Sequence, residues 1–291
     1  MGNAAVVSPK GVDLESANDR LRWVKICAVT ALVLALYIET LADLAVEWWT
    51  IDASSYGMLI PPIALYIVYS RKHLTFSIPA QQDLRGLYLI LSACLIFLAG
   101  KLSAEFFLAR ISFVVLLAGL SWTFWGLGRA KTLAFPFVLL ATMVPLPAIV
   151  YNTAAAPLQL FASSVSTTVA QAFGISIYRD GNVIHLANTS LGVAEACSGL
   201  NSLSALVVGS LLLGFLEDAS LLGRVLLFVL SVPLAIAVNV IRVTGTAILA
   251  DYHLEFALGF YHTLSGWLIF VLGFGLLWLV GKLVFRWTRA I

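Results

Sequence analysis

Charge is what this sequence has least of. Only 11% of its 291 residues are Asp, Glu, Lys or Arg, against about a quarter in a soluble globular chain. That shortage excludes the soluble class. Cysteine is scarce too: Cys27, Cys94 and Cys197 are scattered, with no CxxC pair and no metal-like spacing. Neither a disulfide framework nor a zinc site is expected, and no cofactor, metal or nucleic-acid partner is implied. What the chain does have is apolar residues. They make up 61% of it, the mean hydropathy is +0.98, and they come in runs of helix length rather than barrel-strand length. The expected fold class is an all-α polytopic membrane protein surrounded by membrane lipids.

About eight spans are expected, over 22–42, 56–70, 86–102, 105–126, 131–150, 197–216, 223–249 and 262–285. Residues 1–21 read as a polar cytoplasmic tail, and 22–291 as one transmembrane domain. The first span is too long for a signal-peptide core and no small-residue cleavage site follows it, so it reads as a retained helix. Pro61-Pro62 should kink the second span or end a turn within it. With the N-terminus inside, threading eight spans leaves 13 lysines and arginines on the inner side and only Lys101, Arg110, Arg179 and Arg242 outside. That bias places both termini in the cytoplasm.

The stretch between the fifth and sixth spans, 151–196, is the longest external segment. Leu158, Phe161, Val165, Val169 and Phe173 fall near helical spacing, with Gln159, Ser163, Ser166, Thr167 and Gln171 largely elsewhere around the helix. This predicts an external amphipathic helix in the interface or capping the bundle. Asp180-Gly181 between β-prone runs then predicts a short β-hairpin.

Three chemically complementary residues converge on the outer face. Cys197 opens the sixth span, Arg242 lies near the outer end of the seventh, and His262 begins the eighth. They are 45 and 20 residues apart, so only the folding of the helices brings them together. A helix N-terminus favours a thiolate. Histidine can take the thiol proton and return it to a leaving amine. Arginine can hold an oxyanion or a carboxylate, and its cost near hydrocarbon argues for a task or a partner. Asn239, Glu195, Glu217 and Asp218 are candidates for holding substrate. Plainer readings stand beside these. Cys197 also reads as a packing residue, like Cys27 and Cys94. His262 also reads as an interfacial histidine, with His253 and His185 as rivals. Arg242 can snorkel, and Glu217 with Asp218 can be a solvated turn.

"VAEACSGLNSL", "NVIRVTGTA" and "YHTLSGW" resemble the signature blocks of the exosortase/archaeosortase family of membrane transpeptidases. The likeness extends over most of 45–275, including "IDASSYGMLIPPIALYIVYSRKH" and "GISIYRDGNVIHLANTSLGVAEACSGL". It implies Cys197 as nucleophile, Arg242 as its basic partner and His262 as general acid/base. Histidine at the third position fits the bacterial branch of that family. One block departs: relatives often have a histidine after Tyr-Ser, whereas here Gly57 directly follows Tyr56. The implied substrates are exported proteins with a C-terminal Pro-Glu-Pro-like motif, a membrane helix and a basic tail. Cleavage would take place at the outer face of a bacterial inner membrane. The competing classes are a membrane transporter and a non-enzymatic scaffold for polysaccharide export. No convincing inverted repeat or unambiguous mid-membrane acid supports the transporter.

Overall fold

A computed structural model describes residues 10–186, 189–192, 199–252 and 259–290. Its elements in chain order are helix α1 (Lys10–Thr50), a 3-10 helix (Asp52–Leu59), α2 (Ile60–Ser70), α3 (Lys72–Ser77), α4 (Gly86–Leu102), α5 (Phe106–Thr132), α6 (Ala134–Ala141) and α7 (Ala148–Ala172). Strands β1 (Ile177–Asp180), β2 (Val183–Leu186) and β3 (Ser190–Gly192) follow, then α8 (Gly199–Leu216), α9 (Leu221–Tyr252) and α10 (Gly259–Ala290). The chain divides into two compact units, one ending at Val46 and the other running Glu47–Ile291.

Among the described residues, four helical stretches are long and apolar enough to cross a membrane: Cys27–Thr50, Phe106–Thr132, Leu221–Asp251 and Leu264–Ala290. Gly86–Leu102 and Leu203–Leu216 are apolar but shorter.

The expected boundaries need correction in three places. Helix α1 starts at Lys10, inside the expected tail. Pro61 and Pro62 begin α2 rather than interrupt it, because a first-turn residue needs no amide hydrogen. The fifth expected span is not one helix. It holds the end of α5, the short α6 and an irregular stretch at 142–147 before α7, where Pro145 and Pro147 withhold two helix-propagating amides. Helix α5 itself breaks at Gly126, with φ +82, where a Cβ would overlap the Gln81 carbonyl.

The predicted amphipathic helix exists as α7, but its inward face is not the expected one. Ala155, Ala162, Ser163, Ser166, Thr167 and Ala170 are buried, while Phe161 and Phe173 are exposed. Small residues let backbones approach closely and hydroxyls find carbonyls across a helix interface. Ser166 Oγ accordingly donates to Val240 O on α9 at 3.3 Å, and Ser163 Oγ to Gly181 O at 3.1 Å. The hairpin is also present, one residue out of register with its expected turn. Asp180 pairs with Val183, so the central pair is Gly181-Asn182. Only Gly181 has positive φ, +61, the signature of a type II′ turn with glycine first. A third strand, β3, extends the sheet in the order β1-β2-β3.

Candidate active site

Helices α8, α9 and α10 meet in layers that fix their relative direction. Gly273 of α10 lies against Val238 of α9 and Leu206 of α8. Farther along, Gly281 lies against Leu213 and Leu227. Sequence numbers rise together in α8 and α10 and fall in α9, so α9 runs antiparallel to both. Moving from the first layer the other way, at about 1.5 Å per residue, Arg242 stands about 6 Å above it. Gly199 and Gly266, each seven residues from the layer, stand about 10 Å above it by the same rise. The start of α8, the Arg242 turn of α9 and the start of α10 thus share one end of the bundle.

Arg242 and α10 are in direct contact there. A Cβ at Gly266 would lie 3.2 Å from Arg242 Nη2 and 3.6 Å from Cζ. The glycine makes a seat for the guanidinium. Position 262 precedes Gly266 by four residues, one turn along the same stripe of α10. The His262 side chain lies outside what is described, although its backbone belongs to α10. Cys197, Glu195 and His253 lie outside the described residues altogether; α8 as described begins two positions after Cys197.

Asn239 sits three residues before Arg242, buried. Among the described residues its Oδ1 has no hydrogen-bond partner, and it lines a cavity of about 20 Å³ with Leu158, Ala162, Leu203 and Ile236. That is room for about one water. The cavity lies between α7, α8 and α9, below the Arg242 turn.

The three-stranded sheet is fastened beside this end. Ile177, Ile184 and Leu186 share one apolar cluster with Ala170 of α7 and with Val243 and Ala247 of α9. His185 belongs to this sheet: its Nδ1 is 2.8 Å from Ser190 Oγ and its ring stacks on Tyr178 at 4.7 Å. Its contacts are those of a cross-strand pair.

Glu217 and Asp218 are at the opposite end of α8. Arg71 Nη2 is 2.7 Å from Asp218 Oδ1, and Arg289 Nη2 donates to the Glu217 carbonyl at 2.9 Å. Asp218 therefore already has a partner within the chain.

Two polar arrangements escaped the reading of the sequence. Arg110 Nη1 makes an ion pair with Glu47 Oε2 at 2.6 Å, and Arg110 is 7% exposed. Tyr56 lies close to the Ser204 and Tyr151 side chains. Arg110 was visible as the lone charge of "FFLARISFVV"; its partner, 63 positions away, was not. Among the described residues no group of three or more His, Cys, Asp or Glu side chains is placed to hold a metal.

The fold and this end of the bundle define a polytopic helical membrane protein with the Arg242 guanidinium of α9 seated on Gly266 of α10. The family model for the transmembrane exosortase (exosortase EpsH) matches residues 48–279. The chain belongs to the transmembrane exosortase family. No curated protein and no solved structure matches it.

Proposed function

We propose that this protein is a cysteine protease/transpeptidase. It cuts the C-terminal sorting signal of exported proteins at the outer face of a bacterial inner membrane and transfers the new carboxyl end to an acceptor. The observation that carries this reading is the seat of the Arg242 guanidinium on Gly266, one turn from position 262, at the end of the bundle where α8 begins. The family match supports it further, since 48–279 includes all three blocks.

The roles follow from the chemistry. His262 takes the Cys197 proton, and the thiolate attacks the scissile carbonyl. A carbon–sulfur bond forms, and Arg242 stabilises the oxyanion. As the tetrahedral adduct collapses, the carbon–nitrogen bond breaks and His262 protonates the leaving amine. An acceptor amine or water then releases the acyl group and restores the thiol. Asn239 and Glu195 hold the substrate chain nearby. At the far end, a basic substrate tail competes with Arg71 for Asp218 and meets Glu217 beside it.

The test is co-expression of a tail-bearing substrate with wild-type enzyme or with Cys197→Ala, followed by mass spectrometry of the substrate. Cleavage in wild type and its loss in Cys197→Ala are expected. Undiminished cleavage by the variant would reject the reading.

A further inference from the structure

One face of α10 carries a pattern that the proposed cleavage chemistry does not use. Val271, Gly275, Trp278, Lys282, Arg286 and Arg289 follow one another at steps of three and four, which keeps them on a single stripe of a helix. All six are exposed, and the buried residues of α10, such as Leu277 and Phe285, lie on another side. Half of the stripe is apolar and half is cationic. A Cβ at Gly275 would meet nothing within 4 Å, so the apolar half has an open notch one turn from Trp278. The three cations lie past residue 279, where the family match ends.

Lysine near the end of a membrane helix ordinarily stretches outward to water. Lys282 does the opposite. Its Nζ lies 3.8 Å from the centre of the Trp278 ring, one turn back toward mid-span. Arg289 is engaged, with Nη2 donating to the Glu217 carbonyl at 2.9 Å. Among the described residues no carboxylate pairs with Lys282 or Arg286, and Asp218 is held by Arg71. Two cations therefore stand beside a tryptophan at the end of an apolar span, Leu264–Ala290, the depth that aromatic belts share with lipid headgroups.

Three occupants compete for such a stripe. A second copy of the chain, related by a twofold axis, would set Lys282 and Arg286 against their own equivalents. The substrate proposed above ends in a basic tail and would be repelled in the same way. An anionic phospholipid matches both halves. Its acyl chain lies over Val271 and Gly275, and its phosphate sits between Lys282 and Arg286, which are about 6 Å apart along the helix.

We infer that this stripe of α10 is a binding site for an anionic phospholipid, in the leaflet at the end of the bundle opposite the Arg242 turn. The test is native mass spectrometry of the full-length protein released from micelles that hold equal amounts of phosphatidylglycerol and phosphatidylcholine with the same acyl chains. Wild type should retain the anionic lipid in preference to the other. Lys282→Gln and Arg286→Gln should each cut that preference by about 5-fold, the scale of one cation beside an anionic surface. Together they should bring it near parity, and added salt should narrow it in wild type. The charge-keeping pair Lys282→Arg/Arg286→Lys should hold the preference, and melting temperatures serve as a folding control. Equal retention of the two lipids by wild type would overturn the inference. So would an undiminished preference in the double glutamine variant, or dimers of wild type that vanish in that variant and give the stripe to a second chain. Cleavage plays no part in this readout, so a failure of the proposed function would leave the result intact.

Discussion

At the scale of single residues, the contact between Arg242 and Gly266 makes the sharpest demand. The guanidinium is a planar fork with several donors, whereas lysine is a point charge on a flexible stem. Arg242→Lys should therefore lose turnover by about 10²-fold or more, the usual loss for a missing oxyanion donor. Gly266→Val should approach the same loss without touching the arginine, because its branched side chain occupies the space where Nη2 lies. Cleavage rates at saturating substrate, with melting temperatures as a folding control, check both. Near-normal cleavage by Arg242→Lys would remove the oxyanion assignment. His262→Ala should lower turnover by about 10²–10⁴-fold, while His185→Ala should leave it near wild type, since His185 is engaged with Ser190 and Tyr178. A dead His253→Ala enzyme would move the acid/base role to His253.

Among the elements, the clearest titrating feature is the loop of residues 78–85 laced to the end of α5. Gln81 N and Asp83 N donate to the Trp125 and Thr123 carbonyls at 3.4 and 3.2 Å, and Arg129 Nε donates to Ile78 O at 2.6 Å. Asp83 receives the Arg85 amide at 3.0 Å and the Trp122 indole N–H at 2.8 Å. Chiefly the Arg85 amide, then Trp122, holds its carboxyl below the usual value of 3.8, with help from the nearby Arg85 charge. A depressed folded-state pKa stabilises above the unfolded value and loses that contribution as pH falls through the folded one. Asp83→Asn should therefore melt lower than wild type at pH 6, and the gap should close below about pH 3.8, the ordinary value of the carboxyl. Melting curves of detergent-solubilised protein across pH test this; a gap that widens in acid would contradict it.

How far the sequence could be read also divides by element. Long apolar runs such as Leu221–Asp251 announced themselves, because continuous hydrophobicity has few other meanings. The hairpin was legible from its glycine, although the turn's central pair was not. Helix α7 misled because its small and hydroxyl-bearing residues, rather than its aromatic ones, pack inward, where they let backbones approach closely and reach carbonyls on α9 and the sheet turn. The nearness of Tyr56 to Ser204 was beyond reach, since two hydroxyls 148 positions apart carry no mutual signal in sequence. The convergence of the Arg242 turn with the starts of α8 and α10 was legible because alternating helix direction alone requires it.

For the whole molecule, the charge bias makes a prediction about sidedness. Asn182, in the sheet turn, and Gln82, in the loop before α4, should face opposite compartments. In intact cells a membrane-impermeant maleimide should label Asn182→Cys, while Gln82→Cys should react only after permeabilisation. The opposite pattern would invert the orientation and place the proposed site in the cytoplasm. The shared cluster of the sheet with α9 also imposes an order in time. Ile177 and Ile184 pack on Val243 and Ala247, which the ribosome has yet to make when the sheet emerges. Chain growth at about 5–20 residues per second puts several seconds between Cys197 and His262. On the proposed assignment, the nascent thiol lacks its histidine throughout that interval and its arginine for most of it, which would keep a partly made enzyme inert toward the secretory traffic passing beside it.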